Sequence, residues 1–497
     1  MTGTSFDVLT TTAVELQQFL NAGRISSVEI VQHYLAQIDR HEAKLNAFID
    51  LAPRHLVFSS AAALDAERLN GKRRGPLHGI PIVVKDCFIT PPELGMGTTA
   101  GSWALAGAQP KECSPLVQHL IDQGLIILGK TNMTEFCGMK MTMMSPGWSA
   151  YGGQTLSPYV GDIEKDETIL GHSSPGGSST GSAVAVAAGF SPLALGTETI
   201  GSIITPATRA GLYALKPTVG LQDTRGMYRM TEFFDCPGPM AKTPEDLAVL
   251  ASVMLRQPSL SSPASTEESA LRQPWEGLSV GYLDPRVEEY QGVIAQLKQE
   301  GCSVMPVELP DPSTLTTVDG EQAIMPIAFW DFKNIGIPQF LSCFEDHPVR
   351  SLTDVIDYND KHKDRALPYP HTEQNDLIKA LANTDKEDHI RNLKSSLRSL
   401  ACKNLDAILD AHNINVIIAP ADSALPIYTA AAGYPVAAAP LGQLRYNRRP
   451  FGLCLLARQY QEQILLRFMS AYQDVVQHPA RALPPLPQFP LHLPSLA

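Results

Sequence analysis

An α/β fold built on a mixed central β-sheet is what this sequence predicts, and three observations predict it. Short apolar, β-rich runs alternate with segments of helical periodicity. Apolar residues make up 44% of the chain and charged residues 18%, the balance of a packed globular core rather than a disordered chain. A length of 497 residues accommodates a single large sheet wrapped by helices as well as two or three ordinary domains.

The first 70 residues read as helical. Leu16, Phe19 and Leu20 share one face, and Gly23 is placed to stop that helix. Ser26-Ser-Val-Glu29 has capping-box spacing, after which Ile30, Val31, Tyr34, Leu35 and Ile38 recur at helical intervals. From Leu77 the pattern changes to an apolar run, Gly79-Ile-Pro-Ile-Val-Val-Lys85, that ends in a single charge. A helix around Pro115 to Asp122 precedes a second β-like run at Gly124 to Leu128. Ser182 to Leu195 is rich in Ala and Gly, is broken by Pro192, and reads as a core helix. Leu278 to Leu283, Val304 to Val307 and Val416 to Ala419 are further strand candidates.

Gln257 to Gln273, rich in Ser, Pro and Glu, reads as an exposed connection, either a domain boundary or a long loop. Pro310 to Arg398 shows little clean periodicity and reads as irregular, and the Pro-rich tail after Arg481 as irregular too. The chain is expected to form one domain over 1–497, with N-terminal helices at 8–70, a core at 75–220, a variable segment at 310–398 and the tail at 482–497.

A net charge of -12 disfavours nucleic acid and anionic lipid as partners, because both require clustered Lys and Arg. No run of about 18 apolar residues offers a membrane span, and the first residues carry no basic region followed by an apolar stretch, so a cytoplasmic location is the expectation. The eight cysteines are scattered without a CxxC pair and read as reduced thiols. The 13 histidines show no HExxH and no ligand spacing, so no metal is expected. His172, close before Ser178, is read as structural.

The chemistry concentrates in Pro175-Gly-Gly-Ser-Ser-Thr-Gly-Ser182 and Pro192 to Ser202, where Gly and Ser flank a helix of small residues. Plain packing of a Gly/Ser loop on a helix is one reading. A phosphate loop is another, but Ser182 stands where its lysine belongs. Gly177 to Gly181 also matches G-x-S-x-G, which would make Ser179 a nucleophile, although Ser174 and Pro175 precede it in place of a strand.

Gly75-Pro-Leu-His-Gly-Ile-Pro-Ile-Val-Val-Lys-Asp86, the Gly/Ser stretch and Leu215-Lys-Pro-Thr218 together resemble successive blocks of the amidase signature family. The likeness extends to Lys130-Thr-Asn-Met-Thr-Glu-Phe136 and, more loosely, to Ala431-Ala-Gly-Tyr-Pro-Val436 and Arg449-Pro-Phe-Gly452, covering about 60% of the chain. The resemblance implies a large twisted mixed sheet covered by helices on both faces. It also implies a serine hydrolase of carboxylic amides in which Ser202 is the nucleophile, Ser178 a bridging serine in a cis peptide and Lys85 the base. An insertion at Tyr159 to Ile169 fits within the 93 residues separating Lys85 from Ser178.

A serine hydroxyl attacks well only when a base takes its proton, and a lysine serves when its amine is neutral. The resemblance places the oxyanion hole at Thr199, Ile200, Gly201 and Ser202, where backbone N–H groups would face the developing charge. Here the chain departs from the family, with Ile200-Gly-Ser-Ile-Ile204 in place of Gly-Gly-Ser-Ile-Arg, which deprives Glu198 of an arginine partner. Met133, Trp148, Ser179 and Thr180 are the candidate substrate contacts. No cofactor is implied, the partner is a small amide, and a homodimer is open. Acyl transfer on the same site, an A-like subunit of a tRNA-dependent amidotransferase, and a noncatalytic relative are the alternatives.

Overall fold

Capping chemistry sets the first helices of this computed structural model, which describes residues 6–164, 167, 171–261, 275–345 and 347–475. The Thr12 hydroxyl accepts from Glu15 N–H while the Glu15 carboxylate takes Thr12 N–H, so α1 runs Ala13–Asn21. Ser26 and Glu29 repeat the device ahead of α2, Ser27–Leu45, whose buried stripe holds Ile30, Val31, Tyr34, Leu35 and Ile38. A third helix, α3, spans Arg54–Leu69. The 8–70 stretch is not helical throughout, because Phe48–Leu51 forms an edge strand, β1. Four residues are too few to show the alternation that would distinguish a strand.

Among the described residues, eleven strands make one sheet. After β1 come β2 (Pro81–Lys85), β3 (Ile126–Thr131), β4 (Leu193–Glu198), β5 (Tyr213–Lys216) and β6 (Cys236–Ala241). The second half adds β7 (Ser279–Tyr282), β8 (Ser303–Pro306), β9 (Val416–Pro420), β10 (Val436–Gln443) and β11 (Pro450–Leu456). Their spatial order is β1-β3-β2-β4-β6-β5-β10-β11-β9-β7-β8. Strands β3, β2 and β4 are parallel, as are β9, β7 and β8, while every pairing between β4 and β9 is antiparallel. The sheet is therefore mixed, as expected.

Every residue of β2 to β6 is buried. Because successive side chains point to opposite faces, both faces of this part of the sheet are covered. Helix α4 (Pro115–Asp122) packs on α7 (Pro244–Leu255), and α7 with α5 (Thr180–Ala187) and α6 (Ile204–Arg209) supplies much of that cover.

Two further expectations are corrected. Ser182 to Leu195 is not one helix, since α5 ends at Ala187 and the chain re-enters the sheet as β4 at Leu193. Small apolar residues suit either state, and here the pairing with β2 and β6 decides. Pro310 to Arg398 is not irregular either. It folds into helices at Ile324–Asp331, Ile337–Ser342, Leu352–Lys361 and Asn375–Ala382 and enters a long one at Glu387–Ala411. Most of these are short, and a π-helical turn at Phe332–Gly336 shifts the phase of the apolar stripe, which hides their period in the sequence.

The tail at 482–497, most of the 257–273 connection and part of the Tyr159 to Ile169 insertion lie outside the described residues. No helix among the described residues is long and apolar enough to cross a membrane.

Candidate active site

Parallel neighbours β2 and β4 end side by side, with Val83 opposite Ala194 and Val84 opposite Leu195. That adjacency brings Lys85, the last residue of β2, beside Thr197 of β4. Lys85 is fully buried, and its Nζ donates to Thr197 Oγ1 at 2.8 Å and to Ser178 Oγ at 2.7 Å. The adjoining carboxylate, Asp86, is taken by Lys130 Nζ at 3.1 Å and by the Thr99 hydroxyl and N–H, a buried cluster that holds the strand end rigid.

Ser178 sits in the turn that enters α5, after a cis Gly177–Ser178 peptide. Its carbonyl accepts Thr134 N–H at 3.1 Å. The next residue, Ser179, joins this turn to the other serine-bearing segment: its N–H donates to the Ser202 carbonyl at 3.1 Å. Its hydroxyl donates to Thr197 C=O at 2.9 Å and accepts Thr197 N–H at 3.1 Å. Ser202 lies in the connection from β4 to α6, 8% exposed. The segments carrying Lys85, Ser178 and Ser202, remote in sequence, thus meet at one end of the β2–β4 pair.

The connection around Ser202 is fixed at both sides. Thr199 Oγ1 donates to Asp235 Oδ1 at 2.6 Å, and Asp235 also accepts Met230 N–H at 2.6 Å. Burial pushes the Asp235 carboxyl up to about 6. Gly201 has φ of +81°, a left-handed conformation that favours glycine. Ile200 is partly buried and packs against the core.

Glu198 does not go without partners despite the missing arginine. Its Oε2 accepts Ile203 N–H at 2.6 Å and Ile204 N–H at 2.9 Å, donors that the start of α6 leaves without a helical acceptor. Lys216 is the buried cation whose field it feels. Burial raises the Glu198 carboxyl and lowers the Lys216 amine, and the backbone N–H donors oppose the first of these shifts.

Of the four candidate substrate contacts, three are fully buried. Met133 is fully buried in the core. Ser179 and Thr180 are fully buried and committed to backbone, Ser179 to Thr197 and Ser202, and the Thr180 hydroxyl to Gly176 C=O. These three hold the turn and the core together and offer no exposed atom to a ligand. Trp148 is 9% exposed, with its ring centroid 3.9 Å from that of His371 and Lys140 Nζ over its face at 5.4 Å. Thr197 lies within the Pro192 to Ser202 stretch but was given no role there, because its contact with Lys85 arises from strand pairing, and Asp235 had no motif to mark it, because its contact with Thr199 spans 36 residues.

The amidase family model matches residues 29–466. A putative amidase of Schizosaccharomyces pombe is 30% identical, over 94% of this chain and 85% of its own. The solved peptide amidase of Stenotrophomonas maltophilia superposes with a TM-score of 0.82 at 32% identity, covering 97% of this chain and all of that one. A glutamyl-tRNA(Gln) amidotransferase component from Symbiobacterium thermophilum is 38% identical, but over only 60% of each chain. With a family match across nearly its whole length and a full-length structural likeness, the chain belongs to the amidase family and is a hydrolase acting on amides.

Proposed function

We propose that this protein hydrolyses small linear or aryl carboxylic amides through an acyl-Ser202 intermediate, using Ser178 and Lys85 as its proton relay. The contact of 2.7 Å between Lys85 Nζ and Ser178 Oγ carries the reading. Ser202 Oγ attacks the amide carbonyl carbon as its proton moves to Ser178 and the Ser178 proton moves to Lys85. Backbone N–H groups of Thr199 to Ser202 receive the oxyanion. As the tetrahedral adduct collapses, the C–N bond breaks and the relay returns a proton to the leaving nitrogen. Water then attacks the ester carbonyl with the relay acting again as base, releasing the acid and restoring Ser202. Esters react on the same site, since an oxygen leaving group needs less protonation.

A panel of aliphatic, aryl and peptide C-terminal amides, with matched esters, tests this by release of acid and amine. Ser202→Ala is expected to lower kcat on the order of 10⁴-fold or more, with Ser178→Ala and Lys85→Ala each causing a comparable loss. Full activity in Ser202→Ala would refute the assignment. Added hydroxylamine is expected to intercept the acyl-enzyme as a hydroxamate.

A further inference from the structure

A cavity of about 410 Å³ opens at the end of α6 remote from Ser202. Thr208 and Arg209 stand on its wall, so it begins about 6 Å along the helix from Ile204, at about 1.5 Å per residue. Val287, Pro420, Ala421, Leu444 and Phe451 give it an apolar side. Two buried arginines also line it, Arg209 at 3% and Arg449 at 2% exposure.

The two arginines differ in what they already hold. Arg209 Nη1 donates to the Gly171 and Ser174 carbonyls at 3.1 and 2.9 Å, and its Nη2 lies 3.8 Å from Asp422. Arg449 Nε and Nη1 are buried and have no acceptor among the described residues. The two carboxylates whose fields reach Arg449 are engaged elsewhere. Glu167 is taken by Ser173 N–H, and Asp422, with its side chain 62% exposed, faces Arg209. Of the acidic residues on its wall, Asp422 and Glu288 are exposed and Glu289 is half-buried. The guanidinium groups lie inside, while the Glu288–Arg445 pair stands exposed at the rim. Gln443 Oε1, also lining the cavity, is buried without a donor among the described residues. Buried N–H groups of a cation are stable when they meet acceptors, and a carboxylate is the acceptor whose charge and planar shape suit a guanidinium.

We propose that this cavity is a binding site for a small carboxylate with an apolar body, its carboxylate on Arg449 and its body against Val287, Leu444 and Phe451. The site goes beyond amide hydrolysis and does not depend on the roles given to Ser202, Ser178 and Lys85. Its carboxylate comes either from a separate acid or from an amide substrate that carries one.

Titration of the full-length Ser202→Ala protein with hexanoate, against hexanamide as the neutral control, tests the site. Hexanoate is expected to bind at least tenfold more tightly than hexanamide, and Arg449→Gln to remove that preference. Val287→Trp, which enlarges a side chain on the apolar side, is expected to weaken hexanoate at least tenfold. Equal binding of acid and amide, or hexanoate affinity unchanged in a folded Arg449→Gln protein, overturns the proposal. If Arg449→Gln does not fold, undiminished binding to Val287→Trp overturns it instead. In the active enzyme, a higher kcat/KM for the monoamide of hexanedioic acid than for hexanamide, lost in Arg449→Gln, assigns the carboxylate to the substrate. A change in hexanamide turnover on adding hexanoate, also lost in that variant, assigns it to a separate ligand. An enzyme inert toward every amide would defeat the catalytic reading and leave the binding result standing.

Discussion

Thr197 decides where the Lys85 amine points. Two hydroxyls, of Thr197 and Ser178, hold Nζ at 2.8 and 2.7 Å, and a lysine stem with several free torsions keeps that direction only while both remain. Thr197→Val preserves volume and removes one of them. It is expected to lower kcat by about 10- to 100-fold with KM changed little, because small misplacement of a catalytic group costs on that order. Thr197→Ser should restore most of the loss, and an unaltered kcat in the valine variant would show that Ser178 alone positions the amine. Lys85, Ser178 and Ser202 could be named from sequence because each lies inside a contiguous motif. Thr197, Asp235 and Arg449 could not be given roles, since what they do depends on neighbours 27 to more than 100 residues away.

His371 carries a second expectation at this scale. Burial, aided by repulsion from Lys140, pulls its imidazole down to about 4, whereas the unfolded chain titrates near 6.5. A depressed base is neutral when folded, so its contribution to stability is present above about pH 6.5 and lost as pH falls through that window towards 4. Asp235 and Asp246, both raised to about 6, act in the opposite sense, contributing below about pH 4 and losing that contribution as pH rises through 6. A comparison with His371→Phe, which keeps a ring against Trp148, isolates the histidine. The melting temperature of the wild type relative to this variant is expected to fall between pH 7.5 and pH 4.5, and a constant difference would contradict the shift.

Among the elements, α5 shows most directly why small residues were needed. A Cβ on Gly181 would lie 2.3 Å from Ala47 O, 2.5 Å from Asn132 O and 2.6 Å from Asn132 N, all backbone atoms that cannot rotate aside. Gly181→Ala gains about 1 kcal/mol of helix propensity but forces α5 away from β3, and overpacking of this kind costs about 1–3 kcal/mol or more. The variant is expected to melt lower than wild type and to lose activity, since Ser178 and Ser179 ride on the same helix start; a higher melting temperature would show that α5 has room to shift. The sequence announced this helix by its density of Gly, Ala and Ser, and announced α2 by a capping box that the structure contains. It concealed the helices of 310–398 because most are too short to accumulate a period, and it concealed β1 for the same reason.

At the scale of the molecule, strand order was the least legible feature, because it records pairings between distant segments. Strands β10 and β11, from the last quarter of the chain, sit between β5 and β9 and tie the two halves of the sheet together. The 257–273 connection therefore divides the sequence without dividing the sheet: among the described residues, β7 and β8 pair with the rest of the sheet only through β9, and β9 only through β11. From this arrangement we expect residues 1–497 to unfold as one domain, with the Ser202 connection, the cavity behind α6 and the helices of 310–398 lost together. Scanning calorimetry should then give a single endotherm whose van't Hoff and calorimetric enthalpies agree, with a heat-capacity increase on the order of 6–7 kcal/mol/K at about 12–15 cal/mol/K per residue. A ligand confined to one half, such as hexanoate at Arg449, would shift the whole endotherm upward. Two resolved transitions, with only one of them moved by hexanoate, would instead mean that the halves are energetically separate despite the continuous sheet.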